Sequence, residues 1–237
     1  MFWDNLSPAW QACLEEAWAA DCAGSVPIGA AVADAHGQVI GRGRNRIADK
    51  SAPRDAAPEG DQRANRAVFH HDLAHAELNA LLSLPIVDWD KTTPNNPRQW
   101  TLYTTMEPCP LCLGAFYMSG LRQLHYAARD TYAGSVNLLG ATPYLSRKPI
   151  QVAGPQPELE PLSVALAIES LLQGSSMERS QWACDQWRPT VPLGVALGKH
   201  LFGHHILQPL RAAQATAAEM VVAVMREMEA AARLVWP

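Results

Sequence analysis

The sequence predicts an α/β protein with a mainly helical C-terminal extension, on three observations. Short apolar, strand-like runs alternate with helical stretches up to about residue 172, the rhythm of layers packed around one sheet. A Cys-x-x-Cys pair follows one of those strands directly, at a proline that suits a first helical position. Beyond residue 174 the character changes: Leu210, Ala213, Ala217, Met220, Val224, Met228, Ala231 and Val235 recur at three- and four-residue steps, one apolar stripe on a long helix. The expected division is residues 1–173 for the α/β domain and 174–237 for the extension.

In chain order, Ser7-Pro8 opens a helix whose apolar face is Trp10, Leu14, Ala17 and Trp18. Residues 28–33 and 38–43 form a hairpin around the turn Asp34-Ala35-His36-Gly37. From 48 to about 66 runs a long loop rich in Ala, Pro, Asp and Arg. A helix at 74–84 stops at Pro85, and a second polar loop covers 87–98. The strand 100–105 leads into the Cys-x-x-Cys helix, which closes at Gly120. Strands at 123–128 and 150–153 and a helix at 162–172 complete the domain. Trp182 and Trp187 lie in a polar, proline-containing segment of the extension.

Composition narrows the classes. A chain of 237 residues with 48% hydrophobic and 18% charged residues can bury a sizeable core. The net charge of -4 gives no overall basic field for nucleic acid, although a local basic patch stays open. Five cysteines, two in Cys-x-x-Cys and three scattered (Cys13, Cys22, Cys184), do not make a disulfide framework. The start lacks a basic region followed by an apolar run, and no apolar run reaches membrane-spanning length. A soluble, reducing, cytoplasmic setting is the expectation.

The chemistry concentrates in two half-motifs, His75-x-Glu77 and Pro108-Cys109-x-x-Cys112. Two thiolates and one imidazole hold zinc and leave a position open, the catalytic and not the closed structural pattern. A helix N-terminus favours thiolate. Zinc makes water nucleophilic near neutral pH. Glu77, not needed as a ligand, can shuttle protons. Residues two apart on a helix diverge, so His75 and Glu77 can converge only if the zinc lies beyond the helix's first turn.

Together the half-motifs form the zinc deaminase signature H-x-E…P-C-x-x-C. Over residues 5–173 the chain resembles the cytidine deaminase-like superfamily, and its purine branch of guanine and tRNA adenosine deaminases above all. Val26-Pro27-Ile28-Gly29-Ala30 looks like the first strand, and Leu102-Tyr103-Thr104-Thr105-Met106-Glu107-Pro108-Cys109 like the strand into the zinc helix. Ala128-Arg129-Asp130 with Gly134 resembles the loop after the fourth strand. Arg44-Asn45-Arg46 is similar to the segment whose Asn contacts substrate. The resemblance implies a three-layer α/β/α fold with a mixed five-stranded sheet, whose fifth strand (150–152) runs parallel to the fourth. It also implies one catalytic zinc per subunit and a homodimer. The loop at 48–70 is longer than the family's usual connection, and the extension from 174 onward has no counterpart in it.

The reading is a zinc-dependent hydrolytic deaminase of a purine or purine-like base, with guanine or a related small heterocyclic amine as substrate. His75, Cys109 and Cys112 hold zinc, Glu77 is catalytic, and Asn45 binds the substrate ring. tRNA adenosine-to-inosine deamination, a cytidine or deoxycytidine nucleotide substrate, and a zinc-stabilised binding module are the alternatives. Several residues have a plainer reading beside a functional one. Asn45 can be a turn residue. Arg42, Arg44 and Arg46 can be a solvated strand end or a phosphate grip. His70 and His71 can be loop surface. His200, His204 and His205 lack companions at ligand spacing. Glu107 is expected to order the start of the Cys helix by accepting backbone hydrogen bonds.

Overall fold

The computed structural model describes residues 2–49, 66–84 and 96–236. Its strands are β1 (Gly29–Ala33), β2 (Val39–Arg44), β3 (Thr101–Met106), β4 (Gln123–Ala128) and β5 (Gln151–Ala153). They form one sheet in the order β2-β1-β3-β4-β5. β1 is antiparallel to both β2 and β3, whereas β3, β4 and β5 are mutually parallel. The mixed five-stranded sheet and its parallel fifth strand are thus as the sequence predicts. The two polar loops expected from the sequence fall largely on residues 50–65 and 85–95, outside the described residues.

Helices α1 (Pro8–Cys22), α2 (Ala76–Leu82), α3 (Pro110–Ser119) and α4 (Glu160–Gly174) flank the sheet. Strand alternation assigns the layers. Ala30, Val32, Leu102 and Leu124 pack with Ala76 and Ala80 of α2 and with Leu113 and Phe116 of α3. Ala31 points the other way, onto Ala12 and Cys13 of α1. Ala127 shares that face with Leu14 and Trp18 of α1 and Leu162 and Ala165 of α4. The contacts are close where glycine removes a side chain. A Cβ on Gly43 would come within 2.1 Å of the Ala80 nitrogen, so β2 and α2 touch backbone to backbone. Gly120 closes α3 with φ 94°, the left-handed cap the sequence predicts.

The extension is helical throughout, but not as one long helix. It contains α5 (Met177–Trp187), α6 (Pro192–Gly203), α7 (Gln208–Ala212) and α8 (Ala217–Val235). The polar segment with Trp182 and Trp187 is α5, capped by Ser176, whose side chain accepts from the Arg179 nitrogen. The predicted apolar stripe breaks after Ala213. Gln214 takes φ 51°, and Thr216 and Glu219 form a capping box that starts α8 afresh. Met220, Val221 and Val224 of α8 and Leu197 and Leu201 of α6 are buried in the same core as α1 and α4. Among the described residues no helix is long and apolar enough to cross a membrane.

A buried ion triad fastens this region to the sheet layers. Arg211 of α7 donates to Asp21 of α1 at 2.7 Å and to both carboxylate oxygens of Glu169 in α4. Its guanidinium also lies 5.8 Å from the Trp18 ring centre, and the Trp18 indole donates to the Ala215 carbonyl at 2.6 Å. Removing the cation leaves two buried carboxylates without their partner. Arg211→Ala should therefore cost about 3–5 kcal/mol in denaturant unfolding. A loss indistinguishable from zero would show that the triad does not anchor the extension.

Candidate metal centre

Two helix starts meet at the end of the sheet where β3 and β4 finish. His75 is the N-cap of α2, with extended backbone at φ -78° and ψ 152°. Cys109 is the N-cap of α3, also extended, with Pro110 at the first helical position and Cys112 in the first turn. The cap position answers how His75 and Glu77 converge. His75 lies off the helical path, so its side chain does not follow the helical rotation that separates residues two apart.

Their side chains form a tight triangle. The His75 Nδ1 lies 3.5 Å from the Cys109 Sγ and 3.4 Å from the Cys112 Sγ, and all three donor atoms fall within 4.8 Å of one another. A tetrahedral zinc with ordinary Zn–N and Zn–S bonds would set N···S separations at about 3.5 Å. The donor set therefore fits zinc in both chemistry and size. Glu77 Oε2 stands 3.3 Å from the Cys112 Sγ, and Glu77 is 4% exposed.

The electrostatics describe four coupled groups whose proton affinities are set by one another and by burial. The hydrogen bond from Cys112, aided by His75, draws the Cys109 thiol down to about 4 against the effect of burial. Cys112 moves the opposite way, because it keeps the proton it donates to Cys109 and is buried beside Glu77. The bond to Cys109 raises His75, and burial raises Glu77. Thiols and a carboxyl crowded around one imidazole are what a divalent cation relieves.

The remaining sequence candidates separate clearly. Asn45 is buried just past β2. Its Oδ1 accepts from the Ile47 nitrogen at 3.1 Å, the turn role, while its Nδ2 has no hydrogen-bond partner among the described residues. The next residue, Arg46, donates its backbone N–H to the Ala74 carbonyl at 2.8 Å, which ties this segment to the chain entering His75. The three arginines are each ion-paired: Arg42 stays exposed on its strand, whereas Arg44 and Arg46 are partly buried. Arg42 pairs with Glu15 at 2.5 Å, and Arg44 and Arg46 both pair with Asp49, at 2.6 and 2.9 Å. His70 and His71 are exposed loop residues. His200 bonds Glu227 at 2.8 Å, and among the described residues only His75, Cys109 and Cys112 form a group of three metal donors.

Glu107 departs from its expected role at the start of the Cys helix. Its carboxylate accepts from the Val136 nitrogen at 3.2 Å, so it pins the loop after β4. A Cβ on Gly134 would lie 2.5 Å from that carboxylate, which is why the loop has glycine there. Asn79 went unnoticed in the sequence. Its amide joins α2 to the Arg44 carbonyl and to both backbone groups of Val68, at 2.8–3.1 Å. The one local signal is a buried amide between Leu78 and Ala80, where an apolar residue is the norm.

Comparison with known proteins places these features. Residues 4–128, just over half the chain, match the family described as the cytidine and deoxycytidylate deaminase zinc-binding region. A tRNA(Ile)-lysidine synthase of Deinococcus radiodurans is 32% identical over 117 residues, 47% of this chain and 15% of that protein. A tRNA-specific adenosine deaminase of Haemophilus influenzae is 30% identical over 123 residues, 52% of this chain and 58% of that protein. The chain thus spans less than two thirds of either relative. The solved structure of NE0047 in complex with 2,6-diaminopurine is 25% identical, with a TM-score of 0.52. That match covers 73% of this chain and 86% of NE0047.

Cys109→Ala and Cys112→Ala should each lower bound zinc from about one per chain to near zero, since a site built from three protein ligands loses a thiolate. Metal analysis of the purified variants checks this, and full retention would refute the ligand set.

Proposed function

We propose, from the premise that the chain belongs to the cytidine and deoxycytidylate deaminase zinc-binding family, that it is a hydrolytic deaminase of a purine or purine-like free base. Guanine or a related small heterocycle is the substrate in this reading. The observation that carries it is the triangle of His75, Cys109 and Cys112 with the buried Glu77 carboxylate 3.3 Å from Cys112. That is a metal's donor set with a proton carrier beside it.

The reaction replaces an exocyclic amine with oxygen from water and releases ammonia. When bound by the three side chains, zinc supplies Lewis-acid activation of water at neutral pH. The chain's own work is positioning and proton transfer. Glu77 accepts the water's proton at its carboxylate and passes it to a ring nitrogen as the C–O bond forms. It then takes the second proton from the hydroxyl of the tetrahedral adduct and gives it to the amine as the C–N bond breaks, leaving the oxo product and ammonia. Burial, which raises the Glu77 carboxyl above the ordinary range, suits a group that must both take and give a proton. The Asn45 Nδ2 supplies a donor for the ring. Arg44 and Arg46, on either side of Asn45, are both engaged by the buried Asp49 carboxylate, which favours a substrate without phosphate. NE0047, which binds 2,6-diaminopurine, supports an aminopurine. The adenosine-deaminase relative favours a second reading, adenosine-to-inosine conversion in tRNA.

Ammonia release from a panel of free bases, nucleosides, nucleotides and tRNA tests the choice. Turnover of guanine or a related base is expected, and turnover of tRNA alone would establish the second reading. Glu77→Ala should lower the rate by about 10²–10⁴-fold while zinc stays bound, the usual contribution of a positioned acid–base group. An unchanged rate would remove Glu77 from the mechanism.

A further inference from the structure

The extension helix α5 packs at the end of the sheet that carries the zinc ligands. Ala183 and Cys184 are buried with Met106 and Ala128, the last residues of β3 and β4. The loop between Ala128 and Val136 is fastened to the two residues that precede Cys109. Glu107 donates its backbone N–H to the Ala128 carbonyl at 2.7 Å, and Ser135 donates both its N–H and its hydroxyl to the Pro108 carbonyl at 3.1 and 2.7 Å. Tyr132 lies three residues before Ser135, a reach of at most about 11 Å of chain. α5 is clamped onto this loop. The Trp187 indole donates to the Arg129 carbonyl at 2.8 Å, and the Trp182 ring meets the Tyr132 ring edge-on at 4.7 Å and 86°.

This aromatic pair has surface to spare. Tyr132 is 71% exposed and Trp182 43%. The backbone beneath Tyr132 is held in place, because the Asp130 carboxylate accepts from the nitrogens of Tyr132 and Ala133 at 3.0 and 2.9 Å. Two large rings kept partly in solvent, on a braced loop joined to the zinc helix, do not serve the core. They present flat apolar faces of the kind on which a heterocycle stacks.

We infer that Tyr132 and Trp182 form a stacking wall at the mouth of the zinc site, and that it receives the planar ring of the substrate amine. The extension thereby supplies a specificity-determining residue, Trp182. The inference rests on the deaminase reading. The ring is common to free bases, nucleosides and a flipped-out nucleotide, and the substrate panel separates these sources.

The experiment compares wild type with Tyr132→Ala, Trp182→Ala and the conservative Trp182→Phe, each checked for bound zinc and thermal unfolding. Stacking is lost equally in ground and transition state. KM should therefore rise by roughly fivefold to a hundredfold in the alanine variants while kcat holds. Trp182→Phe should restore most of the loss. A KM within about twofold of wild type in both alanine variants, below the smallest expected stacking effect, overturns the wall. If wild type releases ammonia from no compound, the deaminase reading fails, and titration with 2,6-diaminopurine then judges the wall separately. Weaker binding by the alanine variants than by wild type upholds it. Equal binding by all, or none by wild type, overturns it.

Discussion

Two helix N-termini must meet within the span of one metal ion, and the rest of the structure serves that constraint. His75 and Cys109 are 34 residues apart in sequence yet bring their donor atoms within 3.5 Å. The meeting requires α2 and α3 to lie on the same face of the sheet and to begin at the same end. The parallel pair β3–β4 sets where α3 begins, because its connection must cross one face of the sheet. The backbone contact of Gly43 with α2 sets how close the other helix can come. Asn79 then ties α2 to Arg44 at the end of β2 and to Val68 in the segment that leads into the helix.

The same end of the sheet gathers the loop after β4 and, through it, the extension. Glu107 is central here. It sits between the strand and the Cys helix, yet its carboxylate works on the returning loop, with Gly134 making room. The loop is thus pinned two residues from the candidate metal donor Cys109. α5 lies against the loop and the strand ends together, while Arg211 draws α7 onto α1 and α4 through a buried triad. The extension is therefore packed into the layers around the site.

Much of the site is legible because its signals are local. Pro110 after Cys109, with Cys112 in the first turn, names a helix start with both sulfurs on one side, and His75-x-Glu77 supplies the complementary donors. Pairing between distant strands leaves no local signal; the resemblance supplied the mixed five-stranded sheet and its parallel fifth strand, and the structure supplied the strand order. What was misread has a physical cause in each case. The stripe from Leu210 to Val235 keeps its period across a break, because period reports which face is apolar and not whether the helix is continuous. Thr216-x-x-Glu219 was the signal for the break. Arg42, Arg44 and Arg46 look free in sequence, because their partners Glu15 and Asp49 reach them through folding of the chain.

The sequence by itself determined the three metal donors, the Glu77 carboxylate beside them and hence the class of chemistry, since these depend on residue type and on spacing within a helical turn. Only the tertiary structure decided how the donors converge. His75 is extended at a cap and leaves the helical rotation that would have turned it away from Glu77. Only the tertiary structure, too, brought Trp182 of the extension onto Tyr132 of the loop after β4, because they lie 50 residues apart and no local pattern records their meeting. Bond chemistry is written along the chain, whereas the shape of a pocket is set by packing between distant parts of it.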